Sequence, residues 1–214
     1  MRGYNWQFSG SVQHEIRQGL AVNVGYFRTW YGNFTVTENT AVTPSDFTEF
    51  CVNAPSDARL PAGGGQPVCG NFDVSVAKFG QTQLLISQAD KFGGQTEVYD
   101  GVDVTLQARI QKMILSGGLN TGRTATNNCD VVDDNPQVSF GSPRIDAFCQ
   151  PVSPFQAQYK LAAIYNLPWE IQTSANMQIY PGTSNSGNYS YTNAQIRQSL
   201  GRDLASCRGA ATCT

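Results

Sequence analysis

Trp6-Gln7-Phe8-Ser9-Gly10-Ser11-Val12-Gln13-His14-Glu15-Ile16-Arg17 alternates almost without fault: the even positions are mostly apolar and the odd positions are all polar. Successive side chains of a strand point to opposite faces, so a period of two predicts a strand with one apolar and one polar face. Arg17-Gln18-Gly19 reads as a turn. The pattern then resumes, with Leu20, Val22, Val24, Tyr26 and Trp30 on one face and Asn23, Gly25, Thr29 and Asn33 on the other. Arg28 interrupts the apolar row, and Phe27 and Tyr31 interrupt the polar one.

Two further hairpins repeat the design around the turns Gln111-Lys112-Met113 and Asn166-Leu167-Pro168. Val98, Val102, Val104, Leu106, Ala108 and Ile110 alternate with Glu97, Asp103, Thr105, Gln107 and Arg109, and Asp100, near the expected outer end, is the exception in the apolar row. Met113, Leu115 and Leu119 oppose Ser116, Asn120 and Thr124, with Gly117 and Gly118 between them giving room for curvature. In the third hairpin Phe155, Ala157, Tyr159, Leu161, Ala163 and Tyr165 alternate with Gln156, Gln158 and Lys160. Its return strand sets Trp169, Ile171, Ala175, Met177 and Ile179 against Gln172, Ser174, Asn176 and Gln178.

The prediction is an all-β, antiparallel up-and-down meander of about six long strands, near residues 4–17, 19–37, 95–111, 113–127, 154–166 and 168–181, in one domain over 1–214. A tilted strand crosses a bilayer in roughly 9–11 residues, which these runs meet. Turns are short at one end. At the other end, long loops near 38–94, 128–153 and 182–214 each hold one pair of cysteines. Outer-membrane barrels have this asymmetry, and they carry aromatic girdles. Here Trp6, Phe8, Tyr26, Trp30 and Phe155 lie toward the loops, with Tyr165 and Trp169 toward the turns. Six strands are too few to close such a barrel, which takes about eight, so a partial segment of a transmembrane β-barrel is expected.

With 14% charged residues, a net charge of −2 and a pI near 5.3, the chain has no broad cationic field, which argues against a nucleic-acid partner. A single histidine removes most general-base and metal chemistry. The six cysteines form no Cys-x-x-Cys pair, so disulfides in an oxidising compartment are favoured over zinc. Six cysteines permit about fifteen connectivities. Local pairing is expected: Cys51 with Cys69, Cys129 with Cys149, and Cys207 with Cys213. No apolar run is long enough for a transmembrane helix. Met1 to Trp6 runs straight into the strand pattern with no signal-peptide core, so an internal fragment of a longer exported protein is expected.

Several motifs invite chemistry. Gly117-Gly118-Leu119-Asn120-Thr121-Gly122-Arg123-Thr124 nearly spells a phosphate loop but lies inside a strand pattern instead of before a helix. Asp130, Asp133 and Asp134 lack the spacing of an EF-hand and read as a solvated acidic loop. Asp100 and Asp103 fall on opposite faces and cannot converge on a glycosidic bond, and no serine has a triad partner other than the isolated His14. No enzyme, cofactor or metal is expected. Candidate ligand contacts are the residues of the polar rows: Gln7, Asn23, Asp103, Gln107, Arg109, Asn120, Gln158, Lys160, Gln172 and Asn176. In the loops, Phe47, Phe50, Phe72 and Phe140 are candidates for contacting a ligand or for packing the loops themselves.

The runs Val24-Gly25-Tyr26-Phe27-Arg28-Thr29-Trp30-Tyr31-Gly32-Asn33-Phe34, Tyr99-Asp100-Gly101-Val102-Asp103-Val104 and Ser116 to Thr124 resemble the barrel of Oar-like TonB-dependent receptors, as do Leu167-Pro168-Trp169 and Ser199-Leu200-Gly201-Arg202. The resemblance implies a bacterial outer-membrane receptor with an N-terminal plug, a TonB box and a barrel of about 22 strands, of which this chain is a late-middle portion. Plug, TonB box and terminal strand have no counterpart here, so coupling to the TonB protein is expected through the rest of the parent.

The function expected is therefore that of a non-enzymatic receptor or transporter segment. Its partners are outer-membrane lipid and a small-molecule, peptide or carbohydrate ligand of uptake or surface adhesion. Val12, Val22, Val104, Leu106, Leu115, Leu161 and Ile171 would face lipid, and Ser11, Asn23, Thr105, Gln107, Ser116, Lys160 and Gln172 the lumen. The competing reading is a soluble secreted β-sandwich used for adhesion or binding, whose strands also alternate.

Overall fold

The computed structural model describes residues 2–139, 149–183 and 189–207. Its strands in chain order are β1 (Tyr4–Arg17), β2 (Leu20–Gly32), β3 (Thr35–Asn39), β4 (Phe47–Asn53), β5 (Pro67–Val74), β6 (Leu84–Gln88), β7 (Thr96–Ile110), β8 (Met113–Asn127), β9 (Val138–Ser139), β10 (Gln156–Asn166) and β11 (Gln172–Ile179). Two short helices follow β8 and β11: α1 (Cys129–Val132) and α2 (Asn193–Leu200).

The long strands form one antiparallel six-stranded sheet in the order β1-β2-β7-β8-β10-β11, an open meander of the predicted kind. Register carries the two-residue alternation across every strand. Val12, Val24, Val104, Leu119, Tyr159 and Ile179 form one cross-strand row; one residue on, Gln13, Asn23, Thr105, Gly118, Lys160 and Gln178 form the next. One face of the sheet is thus apolar and the other polar.

Two strand boundaries differ from expectation. β2 ends at Gly32, because Asn33 takes the left-handed region (φ 59°) and turns the chain out of the sheet. β11 begins only at Gln172, since Trp169 and Glu170 are both left-handed (φ 64° and 61°) and the Leu167 amide bonds the Ile171 carbonyl at 2.8 Å. The third turn is therefore wider than Asn166-Leu167-Pro168, and Ile171 lies in it instead of in a strand.

The long loops are folded. β3 pairs with β6 and β9 in a small sheet, and β4 with β5 in a hairpin. Val36, Ala89, Val131 and Val138 make a buried core, with Phe34 and Phe92 packed against it, so the first two loops share an interior. The Asn39 amide also bonds the Gln137 carbonyl at 3.0 Å. Within this region the Glu38 carboxylate is 6% exposed and accepts hydrogen bonds from Ser87 Oγ (2.5 Å) and Lys91 Nζ (2.9 Å).

The third loop docks on the first. α2 opens with a capping box, the Thr192 amide bonding Gln195 Oε1 at 2.8 Å, and closes on left-handed Gly201. It lies against β4, where Ser199 Oγ accepts from the Cys51 amide (2.8 Å) and Tyr191 donates to the Asn53 carbonyl (3.0 Å). Arg202 pairs with Asp73 and bonds the Val74 carbonyl at 3.1 Å. Disulfides Cys51–Cys69 and Cys129–Cys149, with Cα separations of 4.0 and 4.8 Å, are local as expected. Cys207 is also disulfide-bonded; Cys213, its expected partner, and Phe140 lie outside the described residues. Phe47, Phe50 and Phe72 are half-buried in the β4–β5 hairpin. We call the folded loops the cap.

Candidate functional site

The polar face owes its composition to the alternation. Gln, Asn, Ser and Thr recur at alternate positions of β1, β7, β8, β10 and β11, with Tyr99, Ile114, Ala162 and Ile164 among them, and such polar groups keep water as a partner when they are not paired. Curvature gathers part of this face into an open hollow of about 560 Å³. Asp103, Gln107, Asn120, Gln158, Lys160 and Asn176 all line it, so six of the ten contacts read from the sequence are brought together. Asp103 accepts a hydrogen bond from Asn120 directly opposite it, and Lys160 has no ion pair among the described residues. Gly118 sits between Thr105 and Lys160 in its row; a Cβ there would lie 2.8 Å from the Val104 carbonyl oxygen, so only glycine allows the two strands this approach.

The other four lie apart from the hollow. Asn23 is in the row of Thr105, and its Oδ1 is buried without a partner. Gln7 faces Thr29 near the loop end. Arg109 is exposed beside the first turn, its amide bonding the Gly19 carbonyl at 2.7 Å. Gln172 donates to Asn166 Oδ1 at 3.0 Å across the third turn, which gives it a structural bond.

Two aromatics at the loop end of the same face complete the surface. Tyr99 lies over Gly101 and Gly122, where a Cβ on Gly101 would meet the hydroxyl at 2.5 Å, and Phe27 lies over Gly25. In the sequence Phe27 stands out only as an interruption of the polar row, and nothing in the alternation marks Tyr99. The available signal was the glycine two residues away on the same face, since an aromatic lying along a strand needs a neighbour without a side chain.

Among the described residues Asp103 is the only carboxylate lining the hollow, so they assemble no pair of acids of the glycosidase kind there. Asp100 is on the opposite face. The Gly117 to Thr124 motif lies wholly within β8. Asp133, Asp134 and Glu49 border a second, smaller hollow, but no group of three or more His, Cys, Asp or Glu among the described residues is arranged to hold a metal. What the hollow offers is an array of neutral amides and hydroxyls with one acid, Asp103, and one amine, Lys160, suited to multiple hydrogen bonds with a polar solute. No family model, curated protein or solved structure matches the chain. Its class is thus defined by its own architecture: an open antiparallel β-meander, apolar on one face and polar on the other, capped at one end by disulfide-bonded loops.

Proposed function

We propose that the chain is a segment of a bacterial outer-membrane β-barrel receptor of the TonB-dependent kind. Its apolar face lies against lipid and its polar face lines a wet lumen. The cap stands outside the cell, where it recognises a small-molecule, peptide or carbohydrate ligand of uptake or adhesion, without catalysis. Coupling to TonB runs through other parts of the receptor.

The observation that carries this reading is the uncovered apolar face. Val12 is 73% exposed, and Ile16, Val24, Leu106, Leu161, Met177 and Ile179 are exposed with it on the same side of a continuous sheet. Among the described residues, no element packs on them. A surface of that extent requires a partner or an apolar solvent. Trp6 and Trp30 at the loop end and Trp169 at the turn end bracket it as girdle residues would.

Spin labels at Val104 and Leu161 in the lipid-reconstituted protein should be relaxed by a lipid-soluble quencher, and labels at Thr105 and Lys160 by a water-soluble one. The inverted pattern would overturn the reading and favour a soluble β-sandwich, as would a monodisperse, detergent-free monomer that unfolds cooperatively.

A further inference from the structure

The apolar face carries charge in one row only. Apart from Arg17 at the first turn, its charged residues in the six strands are Arg28, Asp100 and Arg123, and the register places these three side by side on β2, β7 and β8. Phe8 extends the row on β1, opposite Arg28, and Phe155 closes it beyond Arg123. The sequence scatters these residues as an interruption in one strand, an exception in another and the mismatched last cation of a false phosphate loop.

The row is built. Tyr26 donates to Asp100 Oδ1 at 2.6 Å, and Arg28 lies 3.4 Å from the same oxygen. The Arg28 guanidinium is 5.1 Å from the centre of the Trp30 ring, and that of Arg123 is 4.6 Å from the centre of Phe155. Two cations against one anion leave an excess positive charge. Donor capacity is left over: Arg28 spends one guanidinium nitrogen on Asp100 and its side chain stays 39% exposed, and exposed Arg123 makes no hydrogen bond or ion pair among the described residues.

Height along the strand is equally telling. Asp100 is ten residues above Ile110, the last strand residue before the turn, which is about 33 Å of strand and about 25 Å of vertical rise at barrel tilt. That matches the thickness of the apolar band of an outer-membrane barrel. Arginine on the lipid face is costly at mid-depth and nearly neutral at the interface. The next row outward holds Trp6 and Trp30.

We propose that Arg28 and Arg123 form a site for the phosphate of an anionic lipid headgroup in the leaflet on the cap side. Guanidinium groups bind phosphate oxygens in bidentate fashion, and those two lie on strands about 10 Å apart. Asp100, already engaged by Tyr26 and Arg28, holds Arg28 in place. A phosphate reaching this row from solution would have to lie on the rim of the apolar band, where a lipid places its phosphate by default. This inference rests on the membrane reading above.

The test uses the whole chain with Trp169→Phe, so that Trp6 and Trp30, which flank the row, report alone. Fluorescence quenching is measured in dodecyl maltoside micelles titrated over the same range of mole fraction with brominated phosphatidylcholine or brominated phosphatidylglycerol. Both lipids should quench, the anionic one at a mole fraction lower by up to about 25-fold, each arginine contributing roughly fivefold. Arg28→Gln with Arg123→Gln should remove the preference, Arg28→Lys with Arg123→Lys should keep part of it, and Arg109→Gln on the polar face should leave it intact. Equal quenching by both lipids, or a preference that survives the double glutamine variant, overturns the headgroup site and leaves the membrane reading standing. Erasure of the preference by millimolar inorganic phosphate would make it a site for free anion and overturn the lipid assignment. Quenching by neither lipid would sink the membrane reading and the site together.

Discussion

The sheet and the cap are built on opposite physical terms. Eleven of the twelve buried hydrophobic residues among those described belong to the cap and its connections; the six-stranded sheet contributes Ala108 alone. The cap is built around an interior of its own, at Val36, Ala89, Val131 and Val138, with disulfides closing loops of modest length. The sheet has backbone pairing in abundance and, among the described residues, no interior. One region carries its own core, and the other needs its surroundings to supply one.

The strongest way to break that contrast is to remove the cap's cross-links. Each described bridge joins cysteines 18 or 20 residues apart, and its loss should cost about 3 kcal/mol of cap stability. Replacing Cys51, Cys69, Cys129 and Cys149 by serine should open residues 38–94 to protease while hydrogen exchange in β7 and β8 stays slow. Coincident loss of protection in both regions would show that they do not fold independently. Charging the sheet's apolar face tests the other side. In the lipid-reconstituted protein, Val104→Arg or Leu161→Arg should cost roughly 2–4 kcal/mol if mid-depth, and Thr105→Arg far less, read from urea unfolding. Equal costs at Val104 and Thr105 would mean that neither face meets hydrocarbon.

Smaller effects sharpen the picture. Glu38→Gln keeps the size of the side chain and a hydrogen bond with Ser87 but loses the pairing with Lys91. Because the Lys91 side chain is 57% exposed, screening should keep the loss to about 1 kcal/mol in the cap's thermal transition. The pH dependence follows the same group. Lys91, and then Ser87, hold the Glu38 carboxyl below its ordinary value of 4.5, and Arg197 and Asn193 do likewise for Asp203. A lowered folded-state pKa gives stability that is full above the ordinary carboxylate pKa and lost as pH falls through the lowered value. Acidification below about pH 4.5 should therefore loosen the cap, seen as faster exchange around β3 and α2, with the strand content of the sheet retained.

How legible each region was from sequence follows from the same contrast. Strands of the sheet are long, alternate cleanly and are joined in three local hairpins, so their existence, order and facing could be read from Trp6 to Arg17 and its repeats, and the hollow's Asp103, Gln107, Asn120, Gln158, Lys160 and Asn176 with them. The cap was read as loops. Its strands run as few as two residues, and β3 finds its partners at β6 and β9, whose positions no period announces. Local cysteine pairing was nevertheless visible, because it needs only proximity in the chain. Arg28, Asp100 and Arg123 show what lies between: each was seen as an irregularity, and only the cross-strand register makes them neighbours.

The cap's interior has a consequence for how the outer surface can change over time. Val36 and Ala89 come from the first loop and Val131 and Val138 from the second, while the third is fastened to the first through Ser199, Tyr191 and Arg202. A loop transplanted singly from another scaffold would arrive without the surfaces its neighbours are shaped to meet. Diversification of the exposed tips is free, but the segments beneath them must be exchanged together, as one cassette.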